Sequence, residues 1–194
     1  MILPIVAYGD PVLRKVGKEI NADYPNLKEL IANMKETMYN ASGVGLAAPQ
    51  IGKDIRLFII DASPFAEDED LDEADREALK NFNKVFINAK IIEEEGEEWP
   101  FNEGCLSIPN VREDVYRHEK VTFEYQDEDF NTYTETLTGL AARVFQHEYD
   151  HIEGVLFTDK LSSLKKRLIK KKLENISKGK IRADYRMRFP NLKK

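Results

Sequence analysis

The spacing of apolar residues predicts three helices, two of them before residue 160. Leu, Ile and Met side chains recur at helical spacing between residues 27 and 38, shortly after a proline suited to a first helical turn. A second stripe runs from Leu140 through Val144 to His147 and His151, at intervals of four, three and four residues. These intervals place the four side chains on one helix face, so both histidines continue an apolar, inward-facing stripe.

The third helix is predicted to begin near Ser162 or Ser163. In this interpretation Leu164, Leu168 and Leu173 face inward, while the many lysines of the same segment face solvent. Residues 181–194 show no clear periodicity, and we expect them to be extended or disordered.

Short runs rich in β-branched and aromatic residues predict strands elsewhere in the chain. They lie at residues 3–7, 56–60, 85–92, 121–125 and 132–137. The last two flank a polar Asp-Glu-Asp turn and predict a hairpin. An acidic turn is expected at residues 93–98, and the acidic residues 67–77 predict a surface loop or a short exposed helix.

This order of elements indicates an α+β fold with small antiparallel sheets around the histidine-bearing helix, followed by a C-terminal helix. A chain of 194 residues fits a single domain. We assign residues 1–160 to a catalytic domain. Residues 161–194 form a basic helix and tail, either part of the same domain or loosely attached to it.

Composition narrows the class of protein. Hydrophobic residues make up 42% and charged residues 33% of the chain, which is ordinary for a water-soluble globular protein. We find no apolar run long enough to span a membrane and no signal-like start. A single cysteine excludes an internal disulfide and agrees with a reducing compartment, so we expect a cytoplasmic protein without membrane contact.

The net charge of −6 conceals an asymmetry along the chain. Residues 160–194 hold 14 Lys and Arg against 2 Asp and Glu, so this segment carries +12 and the preceding part −18. An acidic body with a basic tail suggests a polyanionic partner for the tail. A solvated charged face is the simpler alternative.

The sequence QHEYDH at residues 146–151 is the strongest chemical signal in the chain. His147 and His151 are four residues apart on a helix, so both imidazoles can bind one metal ion. Glu148 lies between them and can act on a water at that ion. A metal beside a carboxylate points to hydrolytic chemistry.

A catalytic metal site normally uses three protein ligands, so a further donor is needed. Cys105 is the preferred candidate, because it lies in a non-helical segment after a glycine. A lone cysteine is more often a small buried hydrophobe, which is the alternative here. His118 is the other possible donor, but the surrounding residues 117–120 suggest an exposed polar edge and a structural or surface role.

Residues 43–50 (GVGLAAPQ) form a small, apolar, glycine-containing segment that ends in an amide. The spacing required for a phosphate-binding loop or a dinucleotide fingerprint is absent. Glycines also allow a substrate backbone to approach closely, and Gln50 supplies uncharged N–H donors. A tight buried turn would have a similar sequence.

Together, residues 43–50, 103–107 (EGCLS) and 146–151 resemble the three motifs of peptide deformylases, in the same order and with similar spacing. The resemblance extends from the opening strand to about residue 164. It implies a metal-dependent hydrolase of bacterial type that removes the formyl group from the N-terminal formylmethionine of nascent polypeptides and releases formate. The acidic stretch 67–77 is then extra length in a surface loop, without assigned chemistry.

The resemblance also implies roles for single residues. The metal ligands would be Cys105, His147 and His151. Glu148 would be the general acid and base, and Gln50 with the backbone N–H of Leu106 would bind the formyl oxygen. Gly45 would bind substrate backbone, Arg112 would border the peptide groove, and the methionine side chain would contact Val44, Phe101, Leu140 and Val144.

The metal and the partners follow from the same resemblance. One sulfur and two imidazole ligands suit Fe(II) as well as Zn(II). The family favours Fe(II) as the native ion, with Zn(II), Ni(II) or Co(II) as possible substitutes. We expect N-formylmethionyl peptides as substrates and predict that residues 165–172 contribute to docking on the ribosome. Glu103 and Asp150 either orient the ligand imidazoles and pair with Arg117, or are ordinary carboxylates.

Two other functions could use the same helix motif or a bound metal. An endopeptidase with the same helix motif would take its third ligand from a histidine or glutamate downstream of His151, where no suitable residue occurs. A non-catalytic ribosome-binding module would use a structural metal closed by four ligands, whereas only three good donors are present beside Glu148. Both alternatives are therefore less favoured than a hydrolase.

Overall fold

The structure is a computed structural model that describes residues 1–191 of the chain. It is a single α+β domain, as the sequence predicts. The strands are β1 (Ile5–Val6), β2 (Gly45–Ala47), β3 (Leu57–Asp61), β4 (Asn83–Cys105), β5 (Ile108–Gln126), β6 (Thr132–Thr138) and β7 (Met187–Arg188). The helices are α1 (Leu27–Asn40), α2 (Glu73–Lys80), α3 (Gly139–Ile152) and α4 (Ser163–Ser177).

The strands form two sheets. One is antiparallel with the order β2-β3-β4-β5-β6, and the other is the parallel pair β1-β7. The predicted acidic turn at residues 93–98 is wrong, because β4 continues through it to Cys105. The pairing of β4 with β5 changes register on either side of Glu95. Glu95 itself forms an ion pair with Lys120 of β5. Exposed positions of a long strand can carry acidic residues when a basic neighbour lies opposite.

Helix α3 is held against the large sheet by an aromatic cluster. The ring of Phe145 on α3 lies 5.4, 5.2 and 3.7 Å from those of Phe58, Phe86 and Phe123, which come from β3, β4 and β5. All four side chains are fully buried. Since aromatic pairs of this kind contribute both area and geometry, they set the position of the helix on the sheet.

The predicted inward face of α4 is wrong at two positions. Leu164 is 58% and Leu168 69% exposed, whereas Ile169, Leu173 and Ile176 are buried. Leu173 follows Leu164 by about two and a half helical turns, so the two side chains point to opposite sides. The buried stripe instead follows spacings of four and three from Ile169. The sequence offers two apolar stripes, and packing against β5 selects the second.

The segment after α4 consists of turns and bends with one short strand, β7, which attaches it to the start of the chain. Strand β7 pairs in parallel with β1, and the N–H groups of Ile5 and Ala7 donate to the carbonyls of Arg186 and Arg188, both at 2.9 Å. Residues 192–194 of the predicted tail lie outside the described residues. Across residues 1–191, every helix is too short or too polar to cross a bilayer.

Candidate metal centre and active-site cleft

Helix α3 and the end of β4 bring three possible metal ligands together. Cys105 is the last residue of β4, and a two-residue turn, Leu106 and Ser107, leads directly into β5. The donor atoms of Cys105, His147 and His151 all lie within 4.8 Å of one another. The Cys105 Sγ is 3.3 Å from Nε2 of His151. His118 is not part of this group of donors. Its ring faces the Gly96 carbonyl at 3.0 Å on an exposed edge.

This arrangement fits a catalytic metal ion. Two imidazoles and one sulfur can coordinate a single divalent cation and leave one position open, as hydrolytic metal sites require. The adjacent Glu148 is 4% exposed, and its Oε2 has no hydrogen-bond partner among residues 1–191. A buried carboxylate oxygen without a partner is costly in a folded protein. Beside the three donors, this oxygen is placed to exchange a proton with a water bound at a metal ion.

Glu103 organises the layer behind the ligands. Its carboxylate accepts hydrogen bonds from Nδ1 of His147 at 2.9 Å and from Nε of Arg117 at 2.7 Å. Arg117 also donates to Asp150 at 2.7 Å. Although burial would raise the pKa of Glu103, hydrogen bonds with His147 and Arg117 hold it well below its usual range. The carboxylate therefore fixes the orientation of the His147 ring, which leaves its Nε2 available as a metal donor.

Arg117 is 4% exposed, so the predicted polar edge at residues 117–120 is wrong at its first residue. A second buried guanidinium, Arg143 on α3, donates to Glu103 at 3.1 Å and to the carbonyl of Val115 at 2.9 Å. It also stacks over the Trp99 ring at 4.3 Å. Sequence reasoning missed Arg143. The sequence does contain a signal for it: Arg143 is a single charge within the apolar first turns of α3. A charge at such a position is buried and therefore requires a charged or polar partner.

Burial and neighbouring charges separate the pKa values of the site. Burial would lower the pKa of His147, but hydrogen bonds with Cys105 and Glu103 and the charges of both raise it well above its usual value. Burial lowers the pKa of His151 well below its usual value. Burial raises the pKa of Glu148 to about 7. A carboxyl group with such a pKa can both hold and release a proton near neutral pH.

Gln50 lies in a short 3₁₀ helix directly after β2 and is 1% exposed. Its side-chain oxygen accepts a hydrogen bond from the N–H of Ala47 at 2.8 Å, which settles the orientation of the amide. The amide nitrogen then faces the turn after β4, 3.5 Å from Cys105 Sγ and 3.4 Å from Ser107 Oγ. An uncharged N–H donor is thus presented next to Cys105, one of the three candidate metal donors.

Gly45 lies in β2 against the catalytic helix. A Cβ at this position would lie 2.7 Å from Cδ and 2.8 Å from Cγ of Glu148, which no side chain could occupy without displacement. The glycine therefore allows α3 to approach β2 so closely that Glu148 reaches the cleft.

The metal donors open onto a cleft of about 510 Å³. Its described lining includes Val44, Gly45, Phe101, Arg112 and Val144 from the predicted substrate-binding residues, together with Gln50, Leu106 and Glu148. The predicted wall residue Leu140 is not part of this lining. It lies one turn before Val144, where α3 packs on the sheet, and belongs to the aromatic core cluster. Phe65 and Tyr185 line the cleft and were not anticipated.

Comparison with known proteins identifies the family. The family model for polypeptide deformylase matches residues 2–167, most of the chain. The chain belongs to the peptide deformylase family. Curated peptide deformylases from Christiangramia forsetii and Flavobacterium johnsoniae are 69% and 70% identical to it over 194 residues, covering 100% of this chain and 99% of each relative.

Solved structures agree with this assignment. The peptide deformylase of Legionella pneumophila is 38% identical with a TM-score of 0.76, over 93% of this chain and 98% of that one. The deformylase of Thermotoga maritima is 39% identical with a TM-score of 0.72, over 84% of this chain and 99% of that one. The resemblance inferred from three motifs is confirmed: this chain is a metal-dependent hydrolase that removes the formyl group from nascent polypeptides.

Proposed function

We propose that Cys105, His147 and His151 hold the catalytic metal ion of this deformylase, with Glu148 as the acid and base. The observation that carries this proposal is Oε2 of Glu148, which has no hydrogen-bond partner among residues 1–191 and is buried beside three donor atoms that lie within 4.8 Å of one another. A divalent ion bound there would supply Lewis-acid chemistry.

We further propose Fe(II) as the native ion. A sulfur donor with two imidazoles suits both Fe(II) and Zn(II), and the same set accepts Ni(II) or Co(II). Reconstituting metal-free protein anaerobically with each ion, and comparing kcat at equal metal content, tests the choice. The proposal requires Fe(II) to give the highest kcat; a higher value with Zn(II) would overturn it.

Glu148 moves the proton in both halves of the reaction. Its carboxylate takes a proton from the attacking water, and the resulting acid donates that proton to the departing amine. Both proton transfers use the carboxylate of Glu148, so this carboxylate must face the scissile C–N bond throughout the reaction. The close approach of Gly45 in β2 to Glu148 supports this position, because it holds the carboxylate at the cleft.

Gln50 and the backbone N–H of Leu106 stabilise the charge that develops on the formyl oxygen. The Gln50 amide is oriented by Ala47 before substrate binds, so it loses little freedom during the reaction. Donors that are already in place lower the barrier because they need not reorganise. The N–H of Leu106 belongs to the turn immediately after the ligand Cys105.

The rest of the cleft binds the formylmethionyl end of the peptide. Val44, Phe101 and Val144 provide apolar walls for one unbranched side chain. Gly45 lies on β2, the edge strand of the large sheet, and lines the cleft, so we assign its backbone to hydrogen bonding with the substrate main chain. Arg112 lies exposed at the rim, where Asn102 accepts a hydrogen bond from its Nε at 2.9 Å. It therefore borders the path of the following residues.

Two variants test these roles, with formyl-Met-Ala-Ser as the substrate. Glu148→Gln should reduce kcat by at least about 100-fold, since it removes the general acid and base. Gln50→Ala should reduce kcat by about 100-fold with a smaller change in KM, as expected for a donor used mainly in the transition state. Metal content must stay at the wild-type level in both. A variant that retains metal and full kcat would remove its residue from the mechanism.

We also propose that the basic face of α4 docks on ribosomal RNA, which places the enzyme in the cytoplasm near emerging chains. Lys166, Arg167, Lys170, Lys171 and Lys172 are all exposed. Lys165 is half-buried and pairs with Glu113 at 3.1 Å. A cluster of exposed cations on one helix favours a polyanionic partner.

Salt titration of ribosome binding tests this docking. Lys166→Glu with Lys170→Glu should weaken binding and reduce the salt dependence, since each lost phosphate contact lowers the slope by about one. The control, Lys28→Glu with Lys53→Glu, makes the same change in net charge at exposed positions elsewhere. Equal affinity for the two double variants would contradict docking through α4.

A further inference from the structure

The turn that carries the Leu106 N–H accepts hydrogen bonds from two residues next to β1 and β7, Tyr8 and Tyr185. The carbonyl of Ser107 accepts a hydrogen bond from the N–H of Tyr8 at 2.8 Å, just after β1. The carbonyl of Leu106 accepts one from the hydroxyl of Tyr185 at 2.7 Å, just before β7. Thus each carbonyl of the two-residue turn has a partner near the small β1-β7 sheet.

The segment around Tyr185 lies against the cleft and is held there by hydrogen bonds on both sides of Tyr185. Residues 182–185 form part of its lining. The carbonyl of Arg182 accepts a hydrogen bond from Asn110 at 3.0 Å, and the pairing of β7 with β1 follows immediately after. Tyr185 itself is half-buried and packs against the core cluster that includes α1. Burial raises the pKa of Tyr185, with the charge of Cys105 acting in the same direction, so its hydroxyl keeps the proton that it donates.

We propose that Tyr185 is a positioning residue for catalysis, because its hydrogen bond to the Leu106 carbonyl orients the turn that presents the Leu106 N–H to the formyl oxygen. This inference rests on the proposed function. It assigns a role to a residue beyond the part of the chain, residues 2–167, that the family model matches. Tyr185 does not touch the reacting atoms in this assignment.

A comparison of Tyr185→Phe with Tyr24→Phe tests the proposal. Tyr24 is also half-buried and packs against the same core cluster, and its hydroxyl has no hydrogen bond to the rest of the described chain. Both variants remove one hydroxyl and keep the ring. With Fe(II)-loaded protein and formyl-Met-Ala-Ser, Tyr185→Phe should lower kcat by about tenfold, since small displacements of a catalytic donor are costly. KM should change less than about twofold, because the Leu106 N–H contributes mainly to binding of the transition state.

Amide hydrogen exchange of residues 105–108 in the metal-free proteins provides a readout that is independent of activity. Exchange in this turn should accelerate in Tyr185→Phe and stay at the wild-type rate in Tyr24→Phe. Equal kcat for the two variants would overturn the proposal, whatever the exchange shows. Unchanged exchange in Tyr185→Phe would also overturn it.

These results separate this inference from the proposed function. Formate release by the wild type together with equal kcat for both variants removes only the role of Tyr185. Absence of formate release from correctly metallated wild-type protein removes the proposed function, and the role of Tyr185 with it.

Discussion

At the scale of single residues, Glu103 connects the metal site to the protein interior. One carboxylate accepts hydrogen bonds from His147, Arg117 and Arg143, and all of these groups are nearly buried. A buried charge cluster of this kind depends on every partner, because loss of one leaves the others without compensation. The stability of the fold and the orientation of the His147 ring thereby depend on the same side chain.

Replacing Glu103 with Gln should therefore affect both properties. Arg143 would lose its carboxylate partner and Arg117 one of its two, so we expect the free energy of unfolding to fall by about 3–5 kcal/mol. The affinity for the metal should fall by about 10–100-fold, since His147 loses its orienting acceptor. Denaturant unfolding and competition with a chelator measure the two effects.

Glu97→Gln is the matched control, on the same strand at an exposed position. It should change neither quantity beyond about 0.5 kcal/mol. If Glu103→Gln binds metal as tightly as this control, Glu103 does not orient His147.

The metal donors were accessible to sequence reasoning because their signals are local. Two histidines at helical spacing and a cysteine after a glycine are visible without knowledge of the fold. Arg143 and Tyr185 were missed for the opposite reason. Their partners Glu103 and Leu106 lie 40 and 79 positions away, and only the folded chain brings them together.

At the scale of elements, the hydrophobic pattern predicted where helices occur better than it predicted which face of each helix is buried. The buried residues of α1 agree with the predicted stripe, since its apolar side chains form a single face. Helix α4 has apolar residues on two faces, so periodicity alone does not decide which one packs. Strand β4 was predicted too short, because its exposed half pairs with β5 through acidic residues that resemble a turn in sequence.

A matched pair of variants tests the facing of α4. Ile169→Ala should destabilise the protein by about 2–5 kcal/mol, since a buried side chain leaves a cavity. Leu168→Ala, its neighbour at 69% exposure, should change the free energy of unfolding by less than about 0.5 kcal/mol. Denaturant unfolding of both variants gives the comparison. Larger destabilisation by Leu168→Ala would show that α4 packs through the face predicted from sequence.

At the scale of the whole molecule, β1 and β7 pair beside the two-residue turn that follows Cys105. Strand β1 begins the fold and β7 closes it, and residues next to each donate to the turn after Cys105. The sequence resemblance extended only to about residue 164 and left residues 181–194 without a role. Extended segments that pair far along the chain leave no periodic signal, which is why this closure required the structure.

The central claim is that this cleft hydrolyses a formamide bond rather than a peptide bond. Mass spectrometry of formyl-Met-Ala-Ser after incubation with anaerobically prepared Fe(II) protein, together with a formate assay, tests it most directly. We expect equal amounts of formate and intact Met-Ala-Ser from the wild type, and almost none from Glu148→Gln with metal retained. Cleavage between the amino acids, or no formate from fully metallated wild-type protein, would contradict the account.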